Sequence, residues 1–143
     1  MIFKRLNRTA PEQVFAVFQA NAAGIAADDV ISLETAAASV DGVKVIQPGT
    51  ALAASHAVVG VADAAIGNGA YGLGQIYGFR STSRIILTDS TQSALAQALK
   101  AVSSQDYFST VASTIGVVPF AVLLESLATG TTTASQKVFL RMM

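Results

Sequence analysis

Apolar and β-branched residues fall in short runs along this chain, and most runs are bounded by glycine, proline or an Asn/Asp turn. Such runs at regular short spacing predict β-strands rather than helices. They lie at Gln13 to Ala20, Asp29 to Thr35, Gly42 to Gln47, Ala57 to Ala64, Tyr71 to Phe79, Arg84 to Thr88, Val117 to Glu125 and Gln136 to Arg141. About eight short strands with one short helix give a mainly β fold, a small β-barrel or β-sandwich.

Turn chemistry supports these borders. Asp41-Gly42 precedes VKVIQ and Pro48-Gly49 follows it, so a hairpin should join the second and third strands. From Tyr71 to Phe79, Leu73, Gln75, Tyr77 and Phe79 alternate with Gly72, Gly74, Ile76 and Gly78. One face of that strand is nearly bare, which invites close approach by another backbone or subunit. The first strand competes with a helix, because Thr9 and Glu12 have capping-box spacing and Phe15, Phe18, Ala22 and Ile25 could line a helical stripe. The β-branched and aromatic density of VFAVF favours the strand. The one helix is expected from Ser90 to Ser103, with Asp89 or Ser90 as its cap and Leu95, Leu99 and Val102 on one face.

The segments AVVGVADAAIGNGAYGLGQIYG and PFAVLLESLATGTTTASQKVFL echo one another. Each runs apolar strand, acidic residue, Gly-containing turn and second strand, with Asp63 and Glu125 in equivalent places. Two such copies suggest a duplicated hairpin and a pseudo-symmetric β domain.

Composition narrows the class. The chain has 143 residues, suited to one domain, and 52% of them are hydrophobic against 13% charged. Residues 11–143 are taken as one β-rich domain and residues 1–10 as an N-terminal arm. A folded surface of roughly 6,900 Å² would be thinly coated by 9 cations and 9 anions. Sparse, balanced charge favours association, so an oligomer or a component of an assembly is expected. Neutrality argues against nucleic acid, whose binders carry a basic stripe. The absence of cysteine removes disulfides, thiolate nucleophiles and thiolate-bound zinc. Val45 to Ala62 and Tyr107 to Leu124 are uncharged and nearly span-length, but proline, glycine and hydroxyl residues within them favour buried strands over a membrane helix. MIFKRLNRTAPEQ has no apolar run after its cations and does not read as a signal peptide.

No catalytic constellation emerges. Gly67 to Gly72 matches G-x-G-x-x-G, yet strand-like alternation follows where a dinucleotide site needs a helix. His56 is the sole histidine; adjacent Ser55 points to the other face of an extended segment, and no G-x-S-x-G elbow exists. Asp28-Asp29 lacks the pattern of a calcium loop and reads as a solvated turn. Asp63 and Glu125 would make a glycosidase pair only if a sugar cleft held them together. Tyr71, Tyr77 and Phe79 could form a platform for a glycan or other ligand, the alternative function to be weighed, although packing in the core is the commoner use of such rings. No cofactor or metal is expected.

The stretches PEQVFAVFQANAAG with DDVISLET, VDGVKVIQPGTA with VVGVADAAIGNGAYGLGQIYGFR, and FAVLLESLATG before KVFL resemble the capsid decoration, or cement, proteins of tailed bacteriophages. That resemblance spans most of the chain outside Ser90 to Ile115, where the Ala- and Ser-rich insert departs from the family's β pattern. It implies a non-enzymatic virion structural protein, made in the host cytoplasm and seated on the outer surface of the capsid. The implied partners are the major capsid protein and other copies of itself, as a homotrimer ahead of a dimer, with neither nucleic acid nor membrane. Within that reading Ile2, Phe3, Lys4, Arg5, Leu6 and Arg8 form a candidate capsid-contact arm. Tyr71, Gly72, Gly74, Ile76, Tyr77 and Phe79 form a candidate protomer contact.

Overall fold

The computed structural model describes residues 4–5, 12–21, 23–34, 41–47, 57–86, 96–102, 105–110, 120–126 and 134–142. Its regular structure is all strand: β1 (Lys4–Arg5), β2 (Gln13–Ala20), β3 (Val30–Leu33), β4 (Lys44–Ile46), β5 (Val58–Ala62), β6 (Tyr71–Arg80), β7 (Arg84–Ile86), β8 (Ala98–Ala101), β9 (Phe108–Thr110), β10 (Ala121–Leu123), β11 (Ala134–Ser135) and β12 (Val138–Arg141). All eight expected strands are present. No helix among the described residues is long and apolar enough to cross a membrane.

The expected helix is corrected in its described part. Ala98–Ala101 forms β8, paired antiparallel with β9 and β10. Alanine-rich composition favours helix locally, but Leu99 and Ala101 are buried while Lys100 is exposed, a period of two. Ala96 has a φ of 66°, which a right-handed helix could not continue through. The proposed caps Asp89 and Ser90 lie outside the described residues.

The first half closes into a five-stranded barrel. β2 pairs parallel with β4, β4 antiparallel with β3, β3 with β5, β5 with β6, and β6 returns antiparallel to β2. The interior holds Ala16, Phe18, Ala20, Ile25, Ile31, Val45, Ala62, Ile66 and Ile76. Gly72 and Gly74 face inward: a Cβ on Gly72 would meet Ile66 at 2.5 Å, and one on Gly74 would meet Ile31 at 2.7 Å and Phe18 at 2.9 Å. The bare face of β6 is thus occupied by side chains of its own barrel.

The second half repeats the pairing order. β7 pairs parallel with β9, β9 antiparallel with β8, β8 with β10, and β10 with β12. Closure comes from residues 71–86, which behave as one bent strand. The β6–β12 ladder runs from Tyr77↔Arg141 to Arg80↔Val138. The Gln136 N–H then donates to the Ser83 carbonyl, and the β7–β11 pairs Arg84↔Ser135 and Ile85↔Ala134 continue the ladder. The last strand of the first ring is therefore also the start of the second. The two echoed segments are the antiparallel pairs β5–β6 and β10–β12. The second core gathers Ile85, Leu99, Ala101, Phe108, Ala121, Leu123, Val138 and Leu140 against Val30, Val58 and Val61 on the outer wall of the first barrel.

Gly78 is the node of this arrangement. It pairs with Gln13 on one side and Leu140 on the other, its φ is 101°, and a Cβ would fall 1.8 Å from the Glu12 carbonyl oxygen. Backbone cannot retreat as a side-chain tip can. Gly78→Ala should therefore cost more than about 3 kcal/mol, beyond ordinary overpacking. Gly42→Ala, where φ is 74° but the space is open, should cost only about 1–2 kcal/mol. Urea unfolding midpoints of the two variants measure the difference, and equal losses would deny the node its role.

Candidate functional site

Two places concentrate side chains that strand formation alone does not require: a buried charge network between the rings, and an exposed apolar group on the first barrel.

The network begins at Asp28 and Asp29, where the chain enters β3. Asp28 adopts a φ of 67°, which Asp tolerates better than most residues. Asp29 is fully buried; its Oδ2 accepts from the Ala26 N–H at 2.9 Å and from Gln47 Nε2 at 3.0 Å. The expected solvated turn is corrected here, because those bonds and Arg84 replace water around the carboxylate. Arg80, with only 6% of its side chain exposed, donates from Nη2 to Asp28 Oδ1 at 2.5 Å and to the Ala62 carbonyl at 2.8 Å. Its Nη1 reaches Gln75 Oε1 at 3.3 Å and Asp63 Oδ1 at 3.4 Å. Arg84 Nη1 bonds Asp29 Oδ1 at 3.1 Å and also Asp106 Oδ2. Thr82 Oγ1 donates to Asp28 Oδ1 at 2.8 Å.

This geometry is that of a fastener. Asp28, Asp29 and Asp63 belong to the first ring, Asp106 precedes β9 in the second, and both arginines lie on the strand the rings share. The carboxylates are occupied by guanidinium groups, and no cluster of His, Cys, Asp or Glu suited to a metal ion occurs among the described residues. The sequence reading missed Arg80, Arg84, Gln75 and Asp106. Its one available signal was the bracketing of Ser81-Thr82-Ser83 by two arginines at the end of an apolar strand.

The echoed acids take different partners: Asp63 lies against Arg80, and Glu125 accepts from the Lys137 N–H at 3.2 Å and pairs with its ammonium. The side-chain hydrogen bond from Lys137, helped by its backbone amide, holds the Glu125 carboxyl below its ordinary range. Asp41 caps the β3–β4 hairpin, accepting from the Lys44 N–H at 2.8 Å and the Val43 N–H at 2.9 Å. Those two backbone donors, Lys44 first, lower its carboxyl likewise. Gly67 to Gly72 turns directly into β6, with Gly69 at a φ of 74°, so no helix N-terminus is offered to a phosphate. His56 and Ser55 lie outside the described residues.

Of the candidate protomer contact, Ile76 is buried with Gly72 and Gly74 on the inward face. Tyr77 meets Phe139 edge-on at a centroid distance of 5.2 Å, and Phe79 is half-buried. Tyr71, at 66% exposure, is the one fully outward ring of the three-ring platform. Beside it stand Leu73 (42%) and its cross-strand partner Val17 (43%). Of the candidate arm, Lys4 and Arg5 form β1 against Phe15 and Val14, whereas Ile2, Phe3, Leu6 and Arg8 lie outside the described residues. No protein-family model matches this chain, and no curated protein matches it.

Arg80→Gln removes the buried guanidinium that satisfies the Ala62 carbonyl and Gln75 Oε1 and pairs the partly exposed Asp28 and Asp63, and should cost about 3 kcal/mol. Arg84→Gln should cost less, because that side chain is 38% exposed and more of its surroundings are water. Chemical denaturation ranks the two, and the reverse order would place the fastener at Arg84. The acid limb of stability has a separate origin. A carboxyl lowered on folding contributes fully above its unfolded value, and the contribution disappears as pH falls through its folded value. Asp41→Asn and Glu125→Gln should therefore each flatten the loss of thermal stability below the ordinary carboxylate range, measured as Tm against pH.

Proposed function

We propose that this chain is a non-enzymatic virion structural protein, a capsid decoration or cement protein that binds the outer surface of the major capsid protein shell and stabilises the head. The carrying observation is the outward group of Tyr71, Leu73 and Val17 on a barrel whose wall is otherwise closed by its own pairings. In a chain with so little charge, an exposed aromatic and two exposed aliphatic side chains in one place support a protein contact. The likeness of its turn and strand segments to the decoration proteins supplies the partner. Cementing needs no reaction, only binding free energy spread over several shell subunits, and multivalent attachment makes individually weak contacts durable.

β1 gives the arm its point of departure. Lys4 and Arg5 add a two-residue edge to β2, which places these two residues of the arm on the barrel wall. Replacing Lys4, Arg5 and Arg8 with Ala should lower occupancy on shells while leaving the unfolding midpoint within about 0.5 kcal/mol of the parent. Quantitative mass spectrometry of density-purified particles tests the function itself. A fixed high ratio to the most abundant shell protein, lost together with particle stability on mild stripping, is the expected result; absence from particles overturns it.

A further inference from the structure

The chain holds three asparagines, Asn7, Asn21 and Asn68, and only Asn68 is followed by glycine. Asparagine is chemically labile, and most so in front of glycine, because no side chain hinders the next backbone nitrogen from closing on the Asn Cγ. Asn68 and Gly69 are both exposed and form the centre of a turn in which the Ala70 N–H donates to the Gly67 carbonyl at 2.9 Å. Gly69 has a φ of 74° and Asn68 a negative one, the pattern of a type II turn.

The end of β2 holds this turn in place. The Gly69 N–H donates to the Ala20 carbonyl at 2.9 Å, and the Ala20 N–H donates to the Ala70 carbonyl at 3.0 Å. The Gly69 carbonyl accepts from Gln19 Nε2 at 2.9 Å. On the other flank the Ile66 and Ile25 N–H groups each donate to the other's carbonyl, at 2.8 and 2.9 Å, and Ile66 is buried. Ring closure at Asn68 requires the Gly69 nitrogen to give up its proton and its peptide plane to rotate toward the Asn68 side chain. The bonds from β2 oppose both movements. The Asp41–Gly42 pair, which could close the same ring, is restrained differently. There Asp41 Oδ1 accepts from the Val43 and Lys44 N–H groups, which keeps the group a carboxylate and hence a poor electrophile.

We propose that Asn68 is a latent deamidation site, kept unreacted while β2 holds the turn from Gly67 to Ala70 and released when that end of the barrel opens. The Gly69 nitrogen, its proton taken by hydroxide, bonds to Asn68 Cγ; the Cγ–Nδ2 bond breaks, and the amide leaves as ammonia with a proton from water. Water then opens the cyclic imide at either carbonyl. One route leaves aspartate, and the other leaves isoaspartate, with the backbone rerouted through the side chain. The net exchange is water in and ammonia out, so no oxidant or cofactor takes part. Isoaspartate adds a carbon to the backbone path between Gly67 and Ala70, so the turn bond and the seating of Gly69 on Ala20 are not both retained. The barrel thus carries a chemical record of its own opening, and nothing in this chemistry depends on what the chain attaches to.

Peptide-mapping mass spectrometry of the full chain, incubated in mildly alkaline buffer with and without unfolding urea, tests this. In urea Asn68 should convert ahead of Asn7 and Asn21. In the folded chain its conversion should be slower by about tenfold or more, since the reaction waits on local opening. Gln19→Ala removes the side-chain bond to the turn and should speed conversion in the folded chain by about threefold. Gln13→Ala removes a bond to the Phe79 carbonyl at the other end of the β2–β6 ladder and should leave the rate at the parent's value. Equal rates at Asn68 in the folded and unfolded chain overturn the latch, and no conversion in urea overturns the site. A Gln19→Ala rate no higher than that of Gln13→Ala removes β2 from the control of the turn and overturns the proposal as well.

Discussion

Burying the Arg80 guanidinium is the constraint around which the two halves are organised. Arg80 sits where the shared strand leaves the first barrel, opposite Val138 of β12, and its Nη1 and Nη2 donors turn back toward Asp28, Asp63, Gln75 and the Ala62 carbonyl. A cation removed from water is tolerable only if its donors find acceptors. Those acceptors come from the entry to β3, the exit of β5 and the middle of β6. The first ring must therefore be closed before Arg80 has a home. Arg84 then joins the buried Asp29 to Asp106 of the second ring, so the second half is indexed on the first. Hydrophobic burial would favour many relative placements of two small barrels; directional, charge-assisted bonds favour few. The Val30, Val58 and Val61 face and the second core then supply the nondirectional part of the association.

The strand shared by the rings explains why glycine is concentrated there. Between Tyr71 and Arg80 the chain must close one barrel against β2, take β5 on its other edge, and then exchange β5 for β12 on that edge. Small residues let Ile66, Ile31 and Phe18 fill the interior at Gly72 and Gly74. At Gly78 the requirement is different: two strands flank a residue with positive φ, and the Glu12 carbonyl lies where a side chain would begin. The irregularity of the β2–β6 register between Val14 and Phe15 falls beside this crossing, as expected where a bulge re-aims a strand.

The sequence made the strands legible where period two extended over several residues, as in Gln13 to Ala20 and Tyr71 to Phe79, and made turns legible where glycine had a conformational task, as at Gly42. The echo between the β5–β6 and β10–β12 segments was legible as a duplicated hairpin, while the longer repeat of pairing order appeared only once the strands were paired. β8 and β9 were not recognised as strands because they are only four and three residues long and β8 lies in alanine-rich sequence. Pairing partners decide such short segments. The charge network was hidden for a related reason: Asp29 and Arg84 are 55 positions apart, and neither has a local pattern distinguishing a buried ion from a solvated one. The inward direction of Gly72 and Gly74 was equally nonlocal. A bare face records that something approaches closely, while the identity of the approaching group depends on how the sheet closes.

Closure also determines what kind of association remains open to the molecule. A sheet edge can recruit a partner through backbone hydrogen bonds with little regard to side chains. Along β2 and β6 those groups are largely committed to β1, β4, β5, β12 and each other. A partner meeting this wall must be recognised through outward side chains, and recognition is then selective because Tyr71, Leu73 and Val17 occupy one small area. The duplicated architecture sharpens that selectivity. The closing ladder of the first ring carries exposed Val17 opposite exposed Leu73, whereas the β7–β11 pairs carry Arg84 opposite Ser135, so this apolar pair is not repeated there. A partner recognised through this group would therefore engage one ring and not the other, although the two rings share a pairing order.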